Sequence, residues 1–215
     1  MSATFPSVAA PGGDSAWRRR LSYVQDAVLV CFSGMFFYVH ASHIVSDGSV
    51  SSLPFAVEQA ILVVLFLSRR KSRMTSRRWQ DWVIASIGGW LPLAVRPAAG
   101  GSFETFGFGL QVVGLTVVSV GFLTLGRSFG VVAANRGLKE SGLYARIRHP
   151  IYLAHTITLV GFLLANVSLL NGVLVVVITC AQVLRIFAEE RILRLSSDYR
   201  QYAERVRWRL VPGVF

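Results

Sequence analysis

Acidic residues are scarce in this chain: 11 Asp and Glu stand against 22 Lys and Arg, and only 15% of its 215 residues are charged while 53% are hydrophobic. That balance excludes a disordered chain and argues against an ordinary water-soluble domain. Cysteine is nearly absent. Cys31 and Cys180 fall in different apolar stretches with no CxxC or Cys/His spacing, which argues against a disulfide framework or a zinc site and reads as two small buried hydrophobes. There is no phosphate-cradling glycine loop, because GRSFG at Gly126–Gly130 fits neither the dinucleotide nor the P-loop spacing and follows no strand. The first sixteen residues also lack the basic start and apolar core of a signal peptide and read as a flexible tail, leaving 17–215 as a single domain.

What the chain does have is long apolar runs. They extend from Leu21 to Val45, Leu53 to Leu67, Trp79 to Val95, Phe103 to Leu125, Ile151 to Ala165 and Leu169 to Leu184. Several approach the ~20 residues that cross a bilayer as helix, so the expected fold is an all-α, polytopic membrane bundle of about six transmembrane helices. Basic residues alternate between the connecting segments, and all of the 22 except Arg96 fall on one side of that arrangement. The positive-inside rule then puts both termini in the cytoplasm, which for a bacterial chain means the inner membrane, and accounts for the net charge of +11 without nucleic acid. The run Ile151 to Ala165 spans only ~22 Å at ~1.5 Å per residue. Followed by Asn166, Ser168, Asn171 and Gly172, it predicts a tight C-terminal helical hairpin whose last helix continues past Arg185.

Within the runs, Gly107, Gly114 and Gly121 recur every seven residues on one helix face, as expected where helices pack backbone to backbone. His40, His43 and His155 have no accompanying carboxylate or thiol in a ligand spacing, so no metal is expected. Asp26, Glu58 and Asp81 lie in or beside apolar stretches, where an ionisable group is either functional or reaching the interface.

Polar density meets the membrane boundary in two segments, GLYARIRHPIY at Gly142–Tyr152 and RIFAEERIL at Arg185–Leu193. Pro150 suits the first turn of a helix, so His149 sits at a helix N-terminus, a natural anion-binding position. Glu189 and Glu190 form a carboxylate pair four and five residues beyond Arg185. A ligand with a carboxylate, an amino group and a ribose fits between them, with Tyr144 and Tyr152 offering aromatic faces, and S-adenosylmethionine has those groups.

RHPIY at Arg148–Tyr152, the Glu189–Glu190 pair after a hydrophobic hairpin, and the ending with Tyr199, Tyr202, Arg205, Val206 and Pro212 together resemble the isoprenylcysteine carboxyl methyltransferase family and the related phospholipid methyltransferases. The resemblance implies an integral-membrane enzyme that takes S-adenosylmethionine from the cytosol and a lipophilic acceptor from the bilayer. The carboxylate of an isoprenylcysteine or a similar lipid acid is the foremost acceptor, and a phospholipid amine is the alternative. It also implies that residues 102–215 carry the cofactor site, formed by Tyr144, Arg148, His149, Pro150, Tyr152, Glu189 and Glu190. Arg185 and Arg205 would orient an anionic acceptor, and Glu189 or Glu190 would take a proton from an amine. A membrane reductase using NADPH and a non-catalytic membrane module are the competing readings.

Overall fold

The computed structural model describes residues 16–47, 53–68, 74–76, 78–95, 98, 103–128, 134–135 and 138–215. The expected flexible tail lies outside them but for its last residue, Ala16. Each of the six apolar runs is helical: α1 Ala16–Asp47, α2 Leu53–Ser68, α3 Trp79–Trp90, α4 Glu104–Leu125, α5 Pro150–Ala165 and α6 Leu169–Leu193. A seventh helix, α7 Ser197–Arg205, is short and amphipathic. The only extended pairing among the described residues is a two-residue antiparallel bridge, β1 Met74–Thr75 with β2 Ala134–Asn135. By length and composition, three helical segments among the described residues are able to cross a membrane: Ala27–Ser46, Glu104–Leu125 and Leu169–Leu193. The others are shorter, and α3 gives way at Leu91–Ala94 to a 3-10 turn led by Pro92, where the sequence had suggested one run to Val95.

Lipid tails are as apolar as leucine, so close backbone packing holds such helices together more than burial does. The heptad glycines provide it between the antiparallel α4 and α5. A Cβ on Gly107 would lie 2.5 Å from the carbonyl oxygen of Gly161, one on Gly114 would lie 2.8 Å from the Ala154 oxygen, and one on Gly121 would lie 2.7 Å from the Ile151 side chain. Val118 and Phe122 of α4 are thereby buried against Ile151 and Ala154 of α5 and Leu65 of α2. Gly114→Ala is expected to destabilise the protein by about 1–3 kcal/mol, because it overpacks against backbone that cannot yield. Thermal unfolding in detergent measures this.

A second antiparallel contact, α3 with α6, is polar. Asp81 is buried rather than reaching the interface; it accepts hydrogen bonds from Ser76 and Arg191 and so ties the start of α3 to the end of α6. Further along, Gln182 donates to the Gly88 carbonyl at 3.1 Å. Glu58 is also buried, within α2, and the Asp26, His40 and His43 side chains lie outside the described residues. Cys31 and Cys180 are exposed, contrary to the buried reading. In a bundle surrounded by lipid the outward face is apolar too, so an apolar side chain does not imply an inward one.

The hairpin turn satisfies its own backbone. Ser168 caps α6 by accepting from the Asn171 amide at 3.1 Å, Asn171 donates to the Asn166 carbonyl at 2.8 Å, and Asn166 Oδ1 accepts from the Ala98 amide at 3.1 Å. Irregular backbone placed at membrane depth would need such internal partners. The α6 helix continues past Arg185 to Leu193, as the sequence predicts. The start of α5, the end of α4 and the end of α6 consequently meet at one end of the bundle, the end to which α7 folds back.

Candidate functional site

Two local features set the entrance to α5. Gly142 adopts φ +62°, open to glycine, and begins a 3-10 turn through Ala145 that carries Tyr144 inward. Pro150 then occupies the first position of α5, where its missing N–H costs nothing, and is fully buried. Between them, Arg148 and His149 are held from outside. Their amides donate to the carbonyls of Trp208 and Arg209, each at 2.9 Å, so the C-terminal segment lies along the Arg148–His149 backbone.

Glu190 is the hub of this arrangement. It is 3% exposed, and four basic side chains converge on its carboxylate. Arg148 Nε lies 3.0 Å from Oε1 without hydrogen-bond alignment, and His149 Nε2 lies 3.3 Å from the same oxygen. Arg209 Nε donates to Oε2 at 3.2 Å and Arg194 at 3.4 Å. Arg209 also lies over the rings of Phe187 and Phe215, its guanidinium carbon 5.4 and 5.0 Å from their centroids. The carboxylate thus joins three elements: the start of α5, the end of α6 and the C-terminal segment.

Beside this hub opens a small cleft that is continuous with solvent. Tyr144, Arg148, His149, Glu189, Tyr199 and Tyr202 contribute to its wall, with Lys139 at the exposed edge. Tyr202 donates to the Tyr144 carbonyl at 2.7 Å and Arg148 to the Ala203 carbonyl at 3.3 Å, which seats α7 over the α5 entrance. Burial pushes the phenols of Tyr144, Tyr199 and Tyr202 above their ordinary range; the Glu189 carboxylate adds to this at Tyr144 and the Glu190 carboxylate at Tyr199. All three remain neutral hydrogen-bond donors at physiological pH.

From the cleft a polar line runs into the bundle. Tyr152 donates to Glu189 Oε2 at 3.0 Å, and the guanidinium of Arg185 lies over the Tyr152 ring, 5.2 Å from its centroid. Arg185 also donates to Gln182 at 3.0 Å. It stands about one helical turn, ~5.4 Å, deeper than Glu189. A Cβ on Gly88 of α3 would lie 2.9 Å from its side chain, so the guanidinium stem occupies space that only glycine leaves there.

The sequence-predicted residues therefore separate. Tyr144, Arg148, His149 and Glu189 meet at the cleft; Tyr152 lies behind Glu189; Arg185 lies deeper; Pro150 and Glu190 are in the supporting structure. Arg205 is apart from them, largely exposed and paired with Glu140. Tyr199, Tyr202, Arg194 and Arg209 were not among the predicted site residues. The Tyr199–Tyr202 spacing on a strongly amphipathic helix was a signal for inward-facing tyrosines, whereas nothing local announces that Arg209 reaches Glu190.

Most of the elements that build this cleft fall within a known sequence pattern, which runs from Val95, beyond the 3-10 turn, into α7. Residues 95–200 match the phospholipid methyltransferase family model. That family model lies in the superfamily of membrane methyltransferases that includes the isoprenylcysteine carboxyl and phospholipid enzymes. The phospholipid methyltransferase match takes in α4, α5, α6 and the first residues of α7, and leaves α1, α2 and α3 outside. Comparison with curated proteins gives no significant match. The match to a methyltransferase family, with three apolar helices of spanning length among the described residues, points to a membrane methyltransferase.

Proposed function

We propose that the protein is an S-adenosylmethionine-dependent methyltransferase acting on a lipid acceptor, with the methyl donor in the cytosolic cleft and the acceptor on the Arg185 side of Tyr152. The observation that carries this reading is the line Glu189–Tyr152–Arg185, which joins an aqueous cleft to a cation inside an apolar bundle. In the sequence, all basic residues but Arg96 fall on one side of a six-crossing arrangement, which supports a multi-pass protein with both termini facing the cytoplasm.

The residues fit such a donor. The cleft offers a carboxylate at Glu189, aromatic faces at Tyr144 and Tyr199, the N-terminus of α5, and Lys139 at its edge. Bound S-adenosylmethionine supplies an electrophilic methyl group on a sulfonium. What remains for the protein is positioning of two reactants that live in different phases. Glu189 holds a donor group of the ligand while Tyr152, hydrogen-bonded to it, fixes its orientation. Glu190 acts one step back, keeping Arg148 and His149 in place. Arg185 orients the acceptor through its anionic group.

An isoprenylcysteine-like or other lipid carboxylate is the acceptor that Arg185 suits best, since such a nucleophile is already ionised and needs no base. The phospholipid methyltransferase match favours a second reading, an ethanolamine headgroup, whose phosphate would meet Arg185 and whose amine proton would pass to Glu189. Purified protein in nanodiscs with methyl-labelled donor separates them. A farnesylcysteine acceptor yields a methyl ester that releases labelled methanol in alkali, whereas phosphatidylethanolamine yields an alkali-stable N-methyl product. The carboxylate reading predicts the first. Label only in the second product transfers the assignment to the amine, and label in neither, with donor bound, removes both acceptors.

A further inference from the structure

The hydroxyl of Tyr199 is the phenol of the cleft wall that is both shielded from solvent and without a hydrogen-bond partner among the described residues. Tyr199 is 3% exposed, its oxygen is shielded from solvent, and it has no hydrogen-bond partner among the described residues. Its neighbours do not share that condition: Tyr202 donates to the Tyr144 carbonyl at 2.7 Å and Tyr152 to Glu189 at 3.0 Å. A buried hydroxyl without a partner is a cost that native structures rarely carry without reason. The ring is nevertheless firmly placed, packed with Tyr202, Ala203 and Val206 under Leu138 and Leu193.

We propose that Tyr199 is a ligand-contacting residue whose hydroxyl donates to a sugar hydroxyl of the bound nucleoside, with Glu189 accepting from the same sugar. The inference rests on the S-adenosylmethionine reading above. The choice of group follows from charge. Tyr199 and Glu189 share the cleft wall, and Glu189 is met by the neutral Tyr152 hydroxyl while Glu190 is compensated by its basic partners, so a carboxylate of the ligand beside Glu189 would be repelled. A neutral group that both accepts and donates is accommodated, and a ribose diol is such a group. The carboxylate of the amino-acid portion is left for the side of the cleft nearer Lys139.

The test uses full-length protein in detergent, titrated calorimetrically with S-adenosylhomocysteine and with its 2′,3′-dideoxy analogue. Tyr199→Phe is expected to weaken S-adenosylhomocysteine three- to tenfold, as loss of one neutral hydrogen bond does, and to bind the dideoxy analogue as the wild type does. The ligand-free melting temperature of Tyr199→Phe is expected to equal or exceed that of the wild type, because no internal bond is lost. Tyr202→Phe, which loses one, melts lower. Undiminished affinity in Tyr199→Phe, or an equal loss for both ligands, overturns the assignment and leaves the cofactor reading standing. Failure of the wild type to bind S-adenosylhomocysteine removes both.

Discussion

Glu190→Ala is expected to lose about 3–5 kcal/mol of stability and all measurable methyl transfer. The substitution leaves Arg148 and His149 buried with no counter-charge and releases Arg209, and with it the C-terminal segment whose carbonyls hold the Arg148 and His149 amides. Breaking a buried ion pair by removing one partner costs on that scale because the remaining charge is stranded. Thermal unfolding in detergent, read beside turnover, checks it. Glu189→Gln provides the contrast. Its amide oxygen still accepts from Tyr152, so its melting point is expected within about 0.5 kcal/mol of the wild type, yet donor binding weakens because the cleft has lost its carboxylate. Similar melting curves for Glu190→Ala and wild type would contradict the hub.

Arg185→Ala is expected to lower kcat/KM for the acceptor roughly 30- to 5,000-fold while donor affinity stays unchanged. Truncating one partner of a desolvated, hydrogen-bonded charge pair costs about 2–5 kcal/mol, which sets that range. Arg185→Lys should recover only part of the loss, since an ammonium keeps the charge without the planar fork and without the stacking on Tyr152. Steady-state kinetics with the acceptor varied, and calorimetry for the donor, separate the two effects. Equal losses in donor and acceptor binding would mean that Arg185 supports the cleft through Tyr152 instead of meeting the acceptor.

The helices were legible in the sequence because long apolar runs bounded by charge leave few alternatives, and each run became a helix. The Gly107, Gly114, Gly121 repeat was legible for the same local reason and packs α4 on α5. The division of labour between Glu189 and Glu190 was present in the sequence but unread: neighbours on a helix of 3.6 residues per turn point about 100° apart, so both cannot face one cleft. Other features were beyond local reasoning. Arg191 meets Asp81 across 110 positions, and Arg209 reaches Glu190 only because the chain turns back after α7. The exposure of Cys31 and Cys180 was misread because burial from water is not burial from lipid.

Direct titration of the purified protein with S-adenosylmethionine and, separately, with NADPH tests the central claim most directly. The account predicts saturable binding of the methyl donor at one site per chain, weakened by Glu189→Gln, and none of the nicotinamide. Binding of NADPH without the methyl donor would contradict it and assign the cleft to a reductase.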